Sequence, residues 1–448
     1  MKIAGVIAEF DPFHNGHAYF LRRVRELTSA DFIIAVMSGD FTQRGNIAVC
    51  DKKIRAEAAL QNGADAVIEL PVRYATASAE LFAHGGTALL EALGCVDVLC
   101  FGTEDSDIGA LKQLAVILSE ESGEYKASLE KHLKEGKNYP SARLEALKET
   151  AAASDAGGSD ASGIPGGRIT GEQIDQSLCQ PNNILALEYL KSLIRLDSDM
   201  DIVNIKREAT DHDSVNTYGI YSSAKNIRTI LRKTGSLDAV SLYLPENTLP
   251  LLREAFGTGF PVFDDDLSSL MNYRLLSESE ASLMRYADMS RDLARRIMKK
   301  RDEFVGVSQF TELIKTRNLT YTRISRALLH MLLGVEKEAE AKQAAETRQE
   351  AETKQAAETD RMAGYARILG FRKDASELVK KINETATIPV LSRVSDRAAI
   401  TDPKAQRDFE EDLRASGIYG IILKDLYGTE ITPETRSVVT SGDGVVMI

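Results

Sequence analysis

Short apolar runs and helical patterns alternate through the first hundred residues. Lys2 to Glu9 is an apolar run with a β-branched centre that ends at Asp11-Pro12-Phe13. A helical pattern follows from Gly16 to Thr28, then a second run, Phe32 to Met37, stopping at Ser38-Gly39-Asp40. Lys52 to Gln61 reads as helix, Ala66 to Leu70 as strand, Ser78 to Ala92 as helix and Val96 to Phe101 as a fourth strand before Gly102. Strands that are apolar throughout, separated by helices, predict an α/β fold with a doubly wound parallel sheet covered on both faces. Right-handed crossovers then gather the strand C-termini along one edge, where open sheets bind ligands.

Further along, Asn182 to Leu196 predicts an amphipathic helix capped by Asn after Pro181, and Ile202 to Arg207 a fifth strand. Ser277 to Gly334 is helical in pattern, Tyr365 to Ile382 helical, and Ile388 to Leu391 and Gly420 to Leu423 short strands; the last twenty residues carry no signal. Two segments read as insertions. Ala, Gly and Ser supply 13 of the 18 residues from 151 to 168, which predicts a mobile loop. Residues 336–360 repeat Lys-Gln-Ala-Ala-Glu-Thr and carry a net charge of −4, the pattern of a solvated helical spacer. The expected domains are a nucleotide-binding unit at 1–245 and a helical basic region at 246–335. The charged spacer at 336–360 and a small C-terminal α/β region at 361–448 complete the division.

The chain has 448 residues and a formal net charge of −12, which excludes a globally basic nucleic-acid binder but not a local basic face. Such a face exists: residues 291–326 hold ten basic and four acidic side chains. No apolar run reaches the ~18 residues of a spanning helix, and the opening segment meets Glu9 and Asp11 too early for a signal peptide. The four cysteines form no C-x-x-C pair and read as reduced thiols of a cytoplasmic protein.

The strongest chemical signal is Phe10-Asp11-Pro12-Phe13-His14-Asn15-Gly16-His17, directly after the first strand. Gly16 admits a close backbone approach, a helix start offers unpaired N–H groups to phosphate, and histidines spaced i, i+3 can face one anion. Imidazole donors there would stabilise the charge that develops as pyrophosphate leaves an attacked α-phosphate. A zinc site is the rival reading, but no third ligand stands at recognisable spacing.

H-x-G-H after the first strand of such a sheet resembles the nucleotidylyltransferase superfamily. Further segments are similar to the bacterial tRNA(Met) cytidine acetate ligase family: Met37 to Gly45, Gly63 to Pro71, Phe101 to Glu104, Pro181 to Ala186 and Arg367 to Phe371. That resemblance implies activation of acetate by ATP as acetyl-adenylate, then transfer of the acetyl group to the exocyclic amine of the wobble cytidine of elongator tRNA(Met). It implies ATP contacts from Ile7, Ala8, Glu9, Phe10, Asp11, Pro12, Phe13, His14, Asn15, Gly16, His17, Ala18, Tyr19 and Phe20, with His14 and His17 catalytic. Gly102, Asn182 and Arg207 would also meet the nucleotide.

Two departures stand out. Asp11 replaces the Asn of many relatives and could bind Mg2+ or cap the following helix. The second phosphate motif, Ser-x-Thr-x-x-Arg, is here Ser223-Ala224-Lys225-Asn226-Ile227-Arg228, with Lys225 and Arg228 left to clamp pyrophosphate. The loop Gly39 to Asp51, with Gln43, Arg44 and Gly45, is expected to act as a lid that helps close the site or receive the cytidine, and Lys52, Lys53 and Arg55 to contact phosphate. Arg291, Arg295, Arg296, Lys299 and Lys300, with Arg301, Arg323 and Arg326, are the candidate tRNA face. No resident metal site is expected. Two other functions remain open: a small-molecule adenylyltransferase that needs only the first 240 residues, and a non-catalytic RNA-binding protein on the same scaffold.

Overall fold

The computed structural model describes residues 1–104, 107–120, 122–137, 139–154, 169–207, 219–337, 363–429, 434, 439–440 and 445–447. Five parallel strands form its centre: β1 (Ile3–Ala8), β2 (Phe32–Ser38), β3 (Ala66–Leu70), β4 (Val98–Thr103) and β5 (Asp201–Lys206). They lie in the order β5-β4-β1-β2-β3, so the chain builds outward in one direction from β1 and then returns to its other side. The switch point falls between β1 and β4.

The unbroken apolar character of these strands follows from burial on both faces. In β2, Ile34 and Val36 point into one core with Leu89, Leu99 and Leu190. Ile33, Ala35 and Met37 point into the other with Leu21, Val24 and Leu60. Helices α1 (Asn15–Thr28) and α2 (Lys52–Gln61) cover the second face; helices Ala79–Ala92 and Pro181–Arg195 cover the first.

The sheet then departs from the all-parallel expectation. β6 (Ala366–Arg372) pairs antiparallel with β3, and β9 (Val445–Met447) antiparallel with β6; among the described residues β7 (Val390–Leu391) and β8 (Val439–Thr440) complete a nine-stranded mixed sheet. Tyr365 to Ile382 is therefore not one helix: its first half is β6, and the α-helix runs over Ser376–Thr385 after a short 3-10 turn, Lys373–Ala375. Gly420 to Leu423 is not a strand but lies within the helix Pro403–Tyr427. Residues 151–154 end the helix Tyr139–Ser154 rather than opening a loop, and the rest of the Ala/Gly/Ser-rich insertion lies outside the described residues. So does the spacer from residue 338 to 360. The C-terminal segment thus extends the central sheet instead of standing apart from it.

The helical region packs a core of its own from Leu293, Ile297, Phe310, Ile324 and Leu328. The loop after β2 contributes Phe41 and Ile47 to that core. Gly45 sits with φ +77, and a Cβ there would run into the backbone of Ser325 and Arg326. Ser325 Oγ donates to Gly45 O at 2.9 Å, and Tyr419 Oη donates to Ala48 O at 3.2 Å. The expected lid is therefore a packed bridge between the sheet and the helical region.

Asp264 anchors the same bridge, accepting from Ile47 N at 3.1 Å and from Asn46 Nδ2 at 3.2 Å. Burial pushes its carboxyl up to about 6, against the lowering effect of the Ile47 amide and of Arg228. The folded state holds this proton more tightly than the unfolded chain does. The stabilisation is complete below the ordinary carboxylate range and is lost as pH rises through about 6. Wild type should therefore gain stability relative to Asp264→Asn, by roughly 2 kcal/mol, as pH falls from 7 to 4. Denaturant titrations of both proteins across that range check this.

Candidate active site

A cavity of about 660 Å3 opens over the C-terminal edge of the sheet at the switch point. Its floor is the end of β1, where Phe10 adopts left-handed backbone, φ +50. A non-glycine residue holds that conformation only when its surroundings fix it. Here the ring of Phe10 is buried, 5.0 Å from both Phe13 and His17.

His14 is the N-cap of α1. Its Nδ1 accepts from Gly16 N at 3.0 Å, and His17 Nδ1 accepts from the backbone N of His14 at 3.3 Å. The two rings stack with centroids 3.7 Å apart. With each Nδ1 receiving an amide proton, the neutral rings carry their own proton on Nε2, and both line the cavity. They are hydrogen-bond donors held in place by the helix they cap. Asp11 is not the cap. Its Oδ1 accepts from Val49 N at 2.7 Å and its Oδ2 pairs with Arg228 at 3.0 Å, so its carboxylate is engaged on both oxygens. Among the described residues no cluster of three His, Cys, Asp or Glu side chains could hold a metal ion.

Three helix N-termini meet at the cavity. Besides α1, the helix Ala224–Thr234 begins there, capped by Ser223, with Ser223, Lys225 and Arg228 on the wall. The third is Pro181–Arg195. Asn182 is not its cap; Glu104 does that work from the loop after β4, accepting from Asn182 N at 3.3 Å, Asn183 N at 3.0 Å and Asn182 Nδ2 at 2.6 Å. Asn182 Oδ1 in turn receives Arg207 at 3.3 Å. Burial lowers the Arg207 guanidinium's affinity for its proton, opposed by Glu104. Gly102, Asn182 and Arg207, read separately in the sequence, thus share one wall. Helix N-termini and guanidinium groups together make a site for a polyanion.

Most of the expected loop faces the cavity: Ile7, Ala8, Glu9, Phe10, Asp11, His14, Gly16, His17, Tyr19 and Phe20. Pro12, Phe13, Asn15 and Ala18 are not on its wall. Phe13 is buried beneath it, Ala18 packs against the sheet core, and Asn15 turns away to donate to Ile220 O and Leu242 O. On the β2 side, Thr42, Gln43 and Arg44 join Thr322 of the helical region.

Lys52 and Arg55 correct the phosphate-contact expectation. Arg55 is 1% exposed and donates to the carbonyls of Cys50, Glu9, Ser38 and Gly39, tying the ends of β1 and β2 to the bridging loop. Lys52 is fully buried, with Nζ 2.6 Å from Glu69, 2.8 Å from Glu434 and 2.8 Å from Ser416 Oγ. Burial would discharge it, but the two carboxylates outweigh that and hold it charged. Arg367 of β6 completes the cluster at 3.1 Å from Glu69.

On the candidate tRNA face the cations divide. Arg295 pairs with Glu280 at 3.0 Å, Arg296 donates to Ile314 O at 2.6 Å, Lys300 pairs with Glu303 at 2.7 Å and Arg326 with Asp288 at 2.7 Å. Arg291, Lys299 and Arg323 are exposed.

The family model described as HIGH Nucleotidyl Transferase matches residues 1–432. A tRNA(Met) cytidine acetate ligase of Acetivibrio thermocellus is 35% identical over 429 residues, covering 95% of this chain and 96% of that one. The chain belongs to the tRNA(Met) cytidine acetate ligase family. The crystal structure of Thermotoga maritima TmcAL, apo form I, matches this ligase-family fold with a TM-score of 0.84 at 29% identity, covering 97% of this chain and 96% of that one. The same protein bound with alpha-thio ATP matches at 0.82 and 30% identity, with the same coverage. The family's fold is the mixed sheet and helical C-terminal region described above.

Removing one partner of a buried ion cluster strands the others in low dielectric. Lys52→Met should lower unfolding free energy by about 3–5 kcal/mol, as measured by denaturant titration, because Glu69 and Glu434 would lose their shared cation.

Proposed function

We propose that this chain is an ATP-dependent ligase that activates acetate as acetyl-adenylate and acetylates the wobble cytidine amine of elongator tRNA(Met) in the cytoplasm. The observation that carries the reading is the meeting of three helix N-termini with the His14–His17 pair on one cavity. Relatives named for this reaction, aligned over almost the whole chain, support the choice of substrates.

ATP lies with its phosphates over the start of α1 and its adenosine toward Gly102, Asn182 and Arg207. An acetate oxygen attacks the α-phosphorus, the bond to the β-phosphate oxygen breaks, and pyrophosphate leaves with the electron pair. His14 and His17 donate from Nε2 to the phosphoryl oxygens, while Lys225 and Arg228 hold the departing pyrophosphate. Magnesium fits as a partner of the nucleotide's own phosphates and water, since Asp11 is already committed to Val49 and Arg228. The basic helical region receives the tRNA backbone through exposed cations that include Arg291, Lys299 and Arg323, with Arg44 at the cavity mouth.

The deciding experiment incubates the protein with labelled acetate, ATP and elongator tRNA(Met). Label in the anticodon supports the reading. Label retained only in a small adenylylated molecule, or RNA binding indifferent to ATP, overturns it. His17→Ala should reduce acetate-dependent ATP–pyrophosphate exchange by about 10²-fold or more, the usual loss of a positioned donor. The double charge reversal Arg291→Glu/Lys299→Glu should weaken tRNA binding and reduce the slope of log K against log salt by about 2, measured by filter binding at several salt concentrations.

A further inference from the structure

Acetyl transfer requires a proton acceptor that the phosphate-handling residues do not supply. When the cytidine amine attacks the acetyl carbonyl carbon, a C–N bond forms and the C–O bond to the adenylate phosphate breaks. AMP leaves with that electron pair, and one amine proton must go elsewhere. His14 and His17 spend their Nδ1 lone pairs on backbone amides. Among the described residues on the cavity wall, the carboxylates are Glu9 and Asp11. Asp11 is engaged on both oxygens.

We propose that Glu9 is the general base of the second step, taking the proton from the cytidine amine as acetyl transfer proceeds. The assignment rests on the acetate–tRNA ligase reading. Glu9 stands just past the end of β1, with Oε1 accepting from Gln43 N at 2.7 Å and its own carbonyl held by Arg55 at 2.6 Å. Gln43 is itself fixed, its side-chain amide donating to Ala77 O at 3.2 Å. The carboxylate is therefore positioned from two sides and keeps its Oε2 for a substrate proton.

Its neighbours place it on the tRNA side. Gln43 and Arg44 belong to the loop that packs on the helical region, and Thr322, from a helix of that region, lines the same cavity. The nucleotide-facing wall of Gly102, Asn182 and Arg207 lies across the sheet, at the ends of β4 and β5 and the start of the helix Pro181–Arg195. A cytidine delivered by the basic region reaches the Glu9 side first. Burial raises the Glu9 carboxyl above its ordinary range, opposed by the Gln43 amide and reinforced by Asp11. That shift strengthens the group as a base once it is ionised.

The test separates the two half-reactions. Enzyme-bound acetyl-adenylate is formed from labelled acetate and ATP, tRNA is added, and single-turnover transfer is followed against pH beside acetate-dependent pyrophosphate exchange. Wild-type transfer should rise with pH along an acid limb as Glu9 ionises. Glu9→Gln should cut transfer by about 10²-fold, cut exchange by less than tenfold, and erase the limb. Glu9→Asp, which keeps a carboxylate, should transfer faster than Glu9→Gln and retain the limb. Transfer in Glu9→Gln within threefold of wild type, parallel loss of both half-reactions, or a wild-type profile without the limb would each overturn the assignment. Absence of exchange in wild type would instead sink the ligase reading itself.

Discussion

In the proposed reading a chain with twelve excess negative charges holds a tetraanion, and the arrangement at the switch point suits that constraint. Strand order β5-β4-β1-β2-β3 opens a crevice where neighbouring crossovers leave in opposite directions. Three helices begin at that crevice, so their dipole ends supply positive potential without raising net charge. His14, Ser223 and Glu104 each satisfy part of a helix start, and His14 and Ser223 also line the cavity.

The buried cations serve a different end. Arg55 gathers four carbonyls where β1 and β2 finish, fixing the backbone from which Glu9 and Phe10 project. Lys52 and Arg367 bind Glu69 and Glu434, joining α2, β3, β6 and the C-terminal segment. Charges that a surface helix would spend on solvent here join elements that are far apart in sequence, and none of the three cations lines the cavity.

The central α/β order was legible because its strands are buried on both faces and its helices begin at recognisable polar residues. The H-x-G-H turn was legible because two of six histidines stand beside one glycine at a strand end. What escaped was non-local. Ile368-Leu369-Gly370-Phe371 reads as part of a helix until β3 offers an antiparallel partner. Ile421-Ile422-Leu423 is a short apolar run whose length fits strand or helix interior equally, and the packing of Tyr419 and Leu423 decides for helix. Lys52 and Arg55 read as phosphate contacts, since the groups that bury Lys52 (Glu69, Ser416 and Glu434) lie 17, 364 and 382 residues away in sequence. Glu104 stood within a recognised segment, yet its role as the cap of a helix 78 residues later has no local signature.

The close seat of Gly45 against residues 325 and 326 has a consequence for protein engineering. The sheet and the helical region cannot be exchanged independently between relatives, because the contact leaves no room for even one carbon atom. A chimera that takes the 39–51 loop from one parent and the 321–333 helix from another inherits two surfaces shaped for different partners. Recombination within this fold has to move the two segments as a matched pair.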